Sequence, residues 1–234
     1  MSKAKKATNT LLQYHDSSPS IIEIGVDEVG RGPLFGRVYT AAVILPKESE
    51  DSENIFDHSK MKDSKKFHSK KKLIEAAEYI KENAIAWSVS YEDEKVIDEI
   101  NILQATQRSM HTCITQLIKQ QTQEYQHIKL LIDGNYFKPL LLYNSTKQML
   151  EQVDFVCVEG GDNKYSAIAA ASILAKVARD TYIEELCEQN PTLSEHYNID
   201  SNKGYGAKKH IAGIKEHGIT PWHRKSFGIC KTFV

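Results

Sequence analysis

Apolar residues follow two rhythms along this chain. In some stretches they alternate or run unbroken; in others they return every third or fourth position. The first rhythm predicts strands at 21–28 (IIEIGVDE), 37–46 (RVYTAAVILP), 85–91 (IAWSVSY), 127–134 (HIKLLIDG) and 153–162 (VDFVCVEGGD). The second predicts a helix at 69–84, with Leu73, Ala76, Ala77 and Ile80 on one face and Ser69 as N-cap. It predicts another at 93–122, carrying Ile97, Ile100, Leu103, Ala105, Met110, Ile114, Leu117 and Ile118. The segment 164–188, dense in Ala, Ile and Leu, is a third helix, and 207–218 a short fourth, stopped by Gly218 and Pro221. Three glycines and a proline at 29–36 predict a turn, 47–60 reads as an acidic loop, and the polar residues 1–20 read as a flexible tail.

Strands followed by helices, with an early hairpin, predict an α/β or mixed α+β sheet with helices on its faces. There is no repeat of fixed period and no Pro/Gly/Ser linker, so residues 21–234 are expected to form one domain with a helical extension at the C-terminal end.

Composition narrows the picture. With 234 residues, 41% hydrophobic and 26% charged, the chain is long enough to bury a core without disulfide or metal staples. A wholly disordered chain and a collagen-like repeat are excluded. The 30 Lys+Arg nearly cancel the 31 Asp+Glu, for a formal charge of −1, which excludes a strongly basic protein that coats nucleic acid. The sum hides a local bias. Residues 58–72 carry seven lysines against one aspartate, and 203–225 carry six Lys/Arg against Glu216, while acids gather at 48–57 and 92–99. Phosphate attraction follows local positive surface, not the total. Cys113, Cys157, Cys187 and Cys230 form no C-x-x-C pair, which predicts reduced thiols instead of a zinc site or disulfide framework. The first residues hold no apolar signal core, and no run of about 18 apolar residues exists, so a cytoplasmic protein without a membrane span is expected.

The acids have a pattern of their own. Asp27 and Glu28 close the first predicted strand, Asp133 closes the fourth and Asp162 follows the fifth. Carboxylates after apolar strands sit at the mouth of a sheet, where open α/β folds place their ligands. Gathered within ~4–6 Å they would raise one another's pKa, and a divalent cation would remove the conflict. Oxygen-only ligands suit Mg2+ or Mn2+, and two such ions about 4 Å apart can activate a water and stabilise the leaving oxygen of a phosphodiester. Strand alternation works against this, because Asp27 and Glu28 should point to opposite faces unless the backbone turns. Each acid also has an ordinary reading: Asp133 in D-G-N as a turn residue, Asp162 in G-G-D-N as a helix cap.

The stretch GVDEVGRGPLFG (25–36) closely resembles the signature of type 2 ribonucleases H, specifically ribonuclease HII. DSKK (63–66), IDGN (132–135), GGDNKYSAIAAASILAKVARD (160–180) and KGYGAKKHIAGIKEHGITPWHRKSF (203–227) resemble further segments of that family, in its order. The resemblance spans about residues 21–228. It implies the ribonuclease H-like fold, a mixed five-stranded sheet flanked by helices with a C-terminal helical part. It implies a Mg2+- or Mn2+-dependent endonuclease that hydrolyses the RNA of RNA–DNA hybrids and cuts 5′ of single ribonucleotides in duplex DNA, leaving 3′-hydroxyl and 5′-phosphate ends. No obligate protein partner is evident, and a monomer is expected.

The family's four catalytic and metal-binding carboxylates map onto Asp27, Glu28, Asp133 and Asp162; Asp180 is a second candidate for the last place but lies within a predicted helix. The Gly-Arg-Gly that reads the RNA–DNA junction is Gly30, Arg31 and Gly32, where glycines let the backbone approach a sugar and the 2′-hydroxyl marks RNA. The junction tyrosine corresponds to Tyr205, with its ring on the adjoining deoxyribose, and Lys65 resembles a phosphate contact. His210, His217 and His223 read as surface or phosphate-side residues. Two positions depart from the family pattern, Phe35 and Arg37 standing where Ala and Pro are common. Arg37 either adds a phosphate contact or reshapes the loop. The related ribonuclease HIII lacks the turn arginine, so the resemblance is to HII. The alternatives are another metal nuclease of this fold and a hybrid-binding protein without catalysis. Arg31 with Tyr205 weighs against the first, and the complete set of acids against the second.

Overall fold

Five apolar segments pair into one mixed sheet. The structure, a computed structural model, describes residues 11–47, 56–62, 64–67, 69–120, 127–144 and 147–234. Ile21–Val29 (β1), Val38–Ile44 (β2), Ala86–Glu92 (β3), His127–Asp133 (β4) and Asp154–Val158 (β7) are the strands that the apolar pattern predicts. Their order is β3-β2-β1-β4-β7. β1 is antiparallel to β2 and parallel to β4; β4 and β7 are also parallel. β2 is buried along its whole length, as its unbroken apolar run implies for a central strand.

Alternation sends the strand side chains to two different layers. Ala41 and Val43 pack with Lys70–Asn83 (α1) and Ser166–Gln189 (α3), and α1 contributes the predicted face of Leu73, Ala76, Ala77 and Ile80. Ser69 occupies the N-cap position but makes no capping hydrogen bond through its side chain. On the opposite face Ile22, Ile24, Val26, Ala42, Ile44, Leu130 and Ile132 pack against Glu94–Gln120 (α2). The α3 helix is buried without a break from Ser166 to Ala175, and Gly25 of β1 lies directly beneath it. A Cβ at Gly25 would overlap the backbone of Ala167. Glycine here sets the distance between helix and sheet.

Several features depart from the sequence expectation. The helix expected at 93–122 is interrupted at Asn101, whose backbone turns to φ 65° and ψ 163°. Its side chain accepts from the Leu103 and Gln104 amides and caps the second half. A small antiparallel hairpin, Leu141–Asn144 (β5) with Met149–Gln152 (β6), stands where no element was expected. Residues 11–20, expected as tail, are tied to the body. Leu12 donates to the Lys164 carbonyl and accepts from the Ser166 amide, buried Glu23 accepts from the His15 and Asp16 amides, and Lys47 bonds the Asp16 and Ser18 carbonyls. Residues 1–10 lie outside the described part. All four cysteines are free thiols, and no helix among the described residues is long and apolar enough to cross a membrane.

The C-terminal extension consists of Thr192–Tyr197 (α4), Ile199–Asn202 (α5) and Lys208–His217 (α6), gathered with the end of α3 around Phe35. Phe35 is fully buried, so this departure from the family pattern fills the centre of the extension. His210 and His223 are buried there too, not on the surface as expected; only His217 is exposed. Thr220 donates its amide to His223 Nδ1, His223 and His210 meet through Nε2 at 3.0 Å, and His210 Nδ1 meets the Tyr205 carbonyl at 2.9 Å. One tautomer pair satisfies all three bonds, with each ring neutral and donating toward Tyr205. Burial lowers both histidines, His223 to about 3.

Gly25→Ala is expected to cost about 3 kcal/mol or more, because backbone on both sides must move, lowering Tm by roughly 10 °C. Thermal unfolding measures this directly. The neutral histidine pair predicts acid sensitivity. Below about pH 6.5 the unfolded chain takes up protons that the folded one refuses, so stability falls as pH drops toward about 3. For His223 the slope approaches roughly 1.4 kcal/mol per pH unit. Urea titrations between pH 7.5 and 5 should show a shallower fall in His223→Gln than in the parent chain; equal slopes would refute the assignment.

Candidate active site

The register places two acids side by side. Val26 of β1 pairs with Ile132 of the parallel β4, so Asp27 and Asp133 follow at the same level at the ends of neighbouring strands. Asp27 lies opposite Ala41 and therefore faces α3. It is 4% exposed; its carboxylate accepts from the Glu28 amide at 2.7 Å and is hydrogen-bonded by Ser172 of α3. Ser172 also meets Ser64 at 3.0 Å, which ties the D-S-K-K segment to Asp27 through two hydroxyls. Burial, and then repulsion from Glu28 and Asp133, hold Asp27 well above the usual carboxylate range. No salt bridge offsets this among the described residues.

Glu28 takes the other face, as alternation requires. It pairs with Thr40, whose hydroxyl meets Ser109 and Cys113 of α2. Its carboxylate is bonded by Arg31 at 3.1 Å. Burial raises its pKa, the Arg31 bond opposes that rise, and Asp133 adds repulsion. The two acids thus diverge at their bases, yet both feel Asp133. That residue accepts from the Gly161 amide at 2.6 Å, which holds the short helical turn Gly161–Asn163 against the end of β4. Asp162 lies in this turn, 6% exposed, with Asn163 donating to it at 2.9 Å. Asp180, the second candidate, pairs with Lys176 one turn back along α3 at 2.8 Å.

The donors around the strand ends are all carboxylate oxygens, a set that fits a hard divalent ion. Among the described residues no three His, Cys, Asp or Glu side chains are already gathered as a metal site. Asp27, Glu28 and Asp133 repel one another, a conflict that a bound cation would relieve. The buried carboxylate of Asp27, which has no basic partner, is where an incoming cation would relieve the most unfavourable charge.

The predicted reading turn borders this group of acids. Gly30 has φ 95°, and a Cβ there would overlap the Arg179 side chain. Arg31 is half-exposed while reaching back to Glu28. The nearest atom to a Cβ placed on Gly32 is Cε1 of Tyr205, at 3.5 Å, so the turn and the tyrosine are neighbours. Leu34 donates to the Gly204 carbonyl at 2.9 Å, docking the K-G-Y-G loop on the turn, and the Tyr205 ring remains 49% exposed. Lys65 is exposed on the short helical turn Ser64–Lys66. Arg37 is sandwiched between the Tyr91 ring at 4.0 Å and the Tyr182 ring at 4.3 Å. Sequence reasoning missed Ser64 and Ser172; their signal was small polar residues inside otherwise apolar or basic segments.

Comparison with known proteins identifies the family and the fold. The family model for ribonuclease HII matches residues 24–230. The ribonuclease HII of Bacteroides thetaiotaomicron is 43% identical over 209 residues, covering 89% of this chain and 90% of that protein. That of Phocaeicola vulgatus is 42% identical over 212 residues, covering 91% and 92%. Among solved structures, the ribonuclease H2 from Pyrococcus horikoshii OT3 is similar with a TM-score of 0.65 at 21% identity, over 91% of this chain and 96% of that one. Bst-RNase HIII in complex with Mn2+ gives 0.65 at 20% identity, over 91% and 68%. At such identities the structural likeness speaks for the fold.

Because Asp27 is buried beside Glu28 and Asp133 without a cationic partner, Asp27→Asn is expected to raise Tm in metal-free buffer at neutral pH. Mn2+ at about a hundred times its Kd should stabilise the parent chain by about 2.7 kcal/mol, and the variant by much less. Thermal shifts with and without Mn2+ check both. A variant that melts lower without metal and gains as much from Mn2+ would refute the placement.

Proposed function

The chain belongs to the ribonuclease HII family of endoribonucleases acting on RNA–DNA hybrids, and on that premise we propose that it also nicks duplex DNA 5′ of a single embedded ribonucleotide, by metal-dependent hydrolysis leaving 3′-hydroxyl and 5′-phosphate ends. Asp27, Glu28, Asp133 and Asp162 hold the ions in this reading. Mg2+ or Mn2+ bound there supplies an activated water and charge neutralisation at the departing 3′-oxygen. Ser172 and the Glu28 amide orient the Asp27 carboxylate, and the Gly161 amide orients that of Asp133. Gly30 and Gly32 let the backbone approach the ribose, where the 2′-hydroxyl distinguishes RNA from DNA. Tyr205 stacks on the deoxyribose that follows, and Lys65 meets a phosphate.

The observation that carries the proposal is the 3.1 Å contact between Arg31 and Glu28. It joins the reading turn to the carboxylates, so recognition of the sugar and attack on the adjoining phosphate share one side-chain bridge. The free thiols suit the reducing cytoplasm. The chain would act there as a monomer in removing ribonucleotides from DNA.

A duplex with one ribonucleotide should give a single nick 5′ of it with Mg2+ or Mn2+, stopped by EDTA. Asp27→Asn is expected to lower kcat by about 10³-fold. Tyr205→Ala should lose about 1–3 kcal/mol of stacking on this substrate. An intact duplex with either ion, or undiminished cutting by Asp27→Asn, would overturn the proposal; Tyr205→Ala at the parental rate would remove the tyrosine from it.

A further inference from the structure

Two arginines are fully buried, and neither meets a carboxylate among the described residues. Arg179 on α3 and Arg224 near the C-terminus are each 0% exposed. Every hydrogen bond from their guanidiniums goes to a backbone carbonyl. Arg224 donates Nε to Gly36 at 2.8 Å, Nη1 to Arg31 and Pro33 at 2.9 Å each, and Nη2 to Gly30 at 2.6 Å. Arg179 donates Nε to Arg37 at 3.2 Å and Nη2 to Phe35 and Lys203 at 3.3 and 2.9 Å, and its Nη1 has no partner. The two side chains thus grip the loop that follows β1 from two distant points later in the sequence, and Arg179 reaches the loop of Tyr205 as well.

A buried guanidinium without a counter-ion is costly, and an ordinary core position would hold an apolar residue. What the guanidinium offers is a rigid planar fork of five donors, which converging carbonyls match and a lysine cannot. The consequence lies on the other side of each peptide. In a planar trans peptide the C=O and the following N–H point in opposite directions. With the carbonyls of Gly30 and Arg31 turned inward to Arg224, the amides of Arg31 and Gly32 are directed away from it, at two exposed residues. Outward amides on a glycine turn are the donors that meet sugar and phosphate oxygens.

We propose that Arg224, assisted by Arg179, is a positioning residue for ribonucleotide recognition. It presets the turn at 30–32 so that the Arg31 and Gly32 amides face the substrate, and selectivity for an isolated ribonucleotide depends on a guanidinium that never touches it. This rests on the proposed function of the turn.

The test compares two substrates, a DNA duplex with one ribonucleotide and a continuous RNA–DNA hybrid, with Mn2+. Arg224→Lys keeps the charge but cannot span four carbonyls. It is expected to lose about 10²-fold in kcat/KM on the single ribonucleotide, chiefly through KM, and less than about tenfold on the hybrid. The Mn2+-induced rise in Tm should match the parent's, since the carboxylates are untouched. Equal losses on both substrates, or an unchanged ratio, would overturn the proposal. A parent chain that cuts the hybrid but not the single ribonucleotide would instead count against the proposed function.

Hydrogen exchange decides the clamp itself. The Leu34 and Gly36 amides, bonded to Gly204 and Trp222 carbonyls at 2.9 and 2.8 Å, should be protected in the parent and lose protection in Arg224→Lys. Rapid exchange in the parent, or full protection in the variant, would refute it. If Arg224→Lys does not melt cooperatively, Arg179→Lys is read by the same criteria.

Discussion

The close approach of α3 to β1 is the contact on which the remaining geometry depends. Helix and strand meet backbone to backbone because Gly25 has no side chain and Ala167 has almost none. A helix seated this low brings Ser172 beneath Asp27 and, farther along, Arg179 beneath Gly30. A normal spacing of ~10 Å between layers would separate these groups by a side-chain length. The alanine-rich sequence of α3 therefore serves more than burial, because it lets one helix address both the acids at the strand end and the turn beyond them.

At the acids, stability and chemistry pull in opposite directions. Burial and mutual repulsion make Asp27 and Glu28 poor anions in the bare fold, and the same features make a cation welcome. The surrounding hydrogen bonds come from a hydroxyl, from amides and from one half-exposed arginine. They orient the carboxylates without neutralising them, apart from Glu28, whose partner is Arg31. Such local discomfort is what a binding site stores when the rest of the core is well packed.

The main lines of this arrangement were legible in the sequence. All five strands of the sheet were visible because apolar runs ended in turn residues, and α3 because nothing polar interrupts its first half. The strand-end acids and the glycine turn were visible by position. The break at Asn101 was hidden because apolar spacing continues through it. The hairpin at 141–152 was hidden because its strands are short, exposed and without alternation. The buried histidines and arginines were misjudged or passed over for one reason. Charged and titratable residues belong outside on average, and only the tertiary structure shows where carbonyls or a second ring satisfy them. The direction of Glu28 was foreseen from the strand pleat, but not its return to the site through Arg31.

The grip of Arg224 on the loop after β1 spans most of the sequence, with a separation of 194 positions between that arginine and Gly30. During synthesis the glycine turn emerges well before Arg179 and Arg224, and it lacks their support until both have been made. A chain ending before Arg224 would hold every strand and all four strand-end acids in its sequence, yet lack four of the hydrogen bonds that hold this loop. If the turn reads ribonucleotides as proposed, selectivity would be acquired only after the catalytic carboxylates have been made.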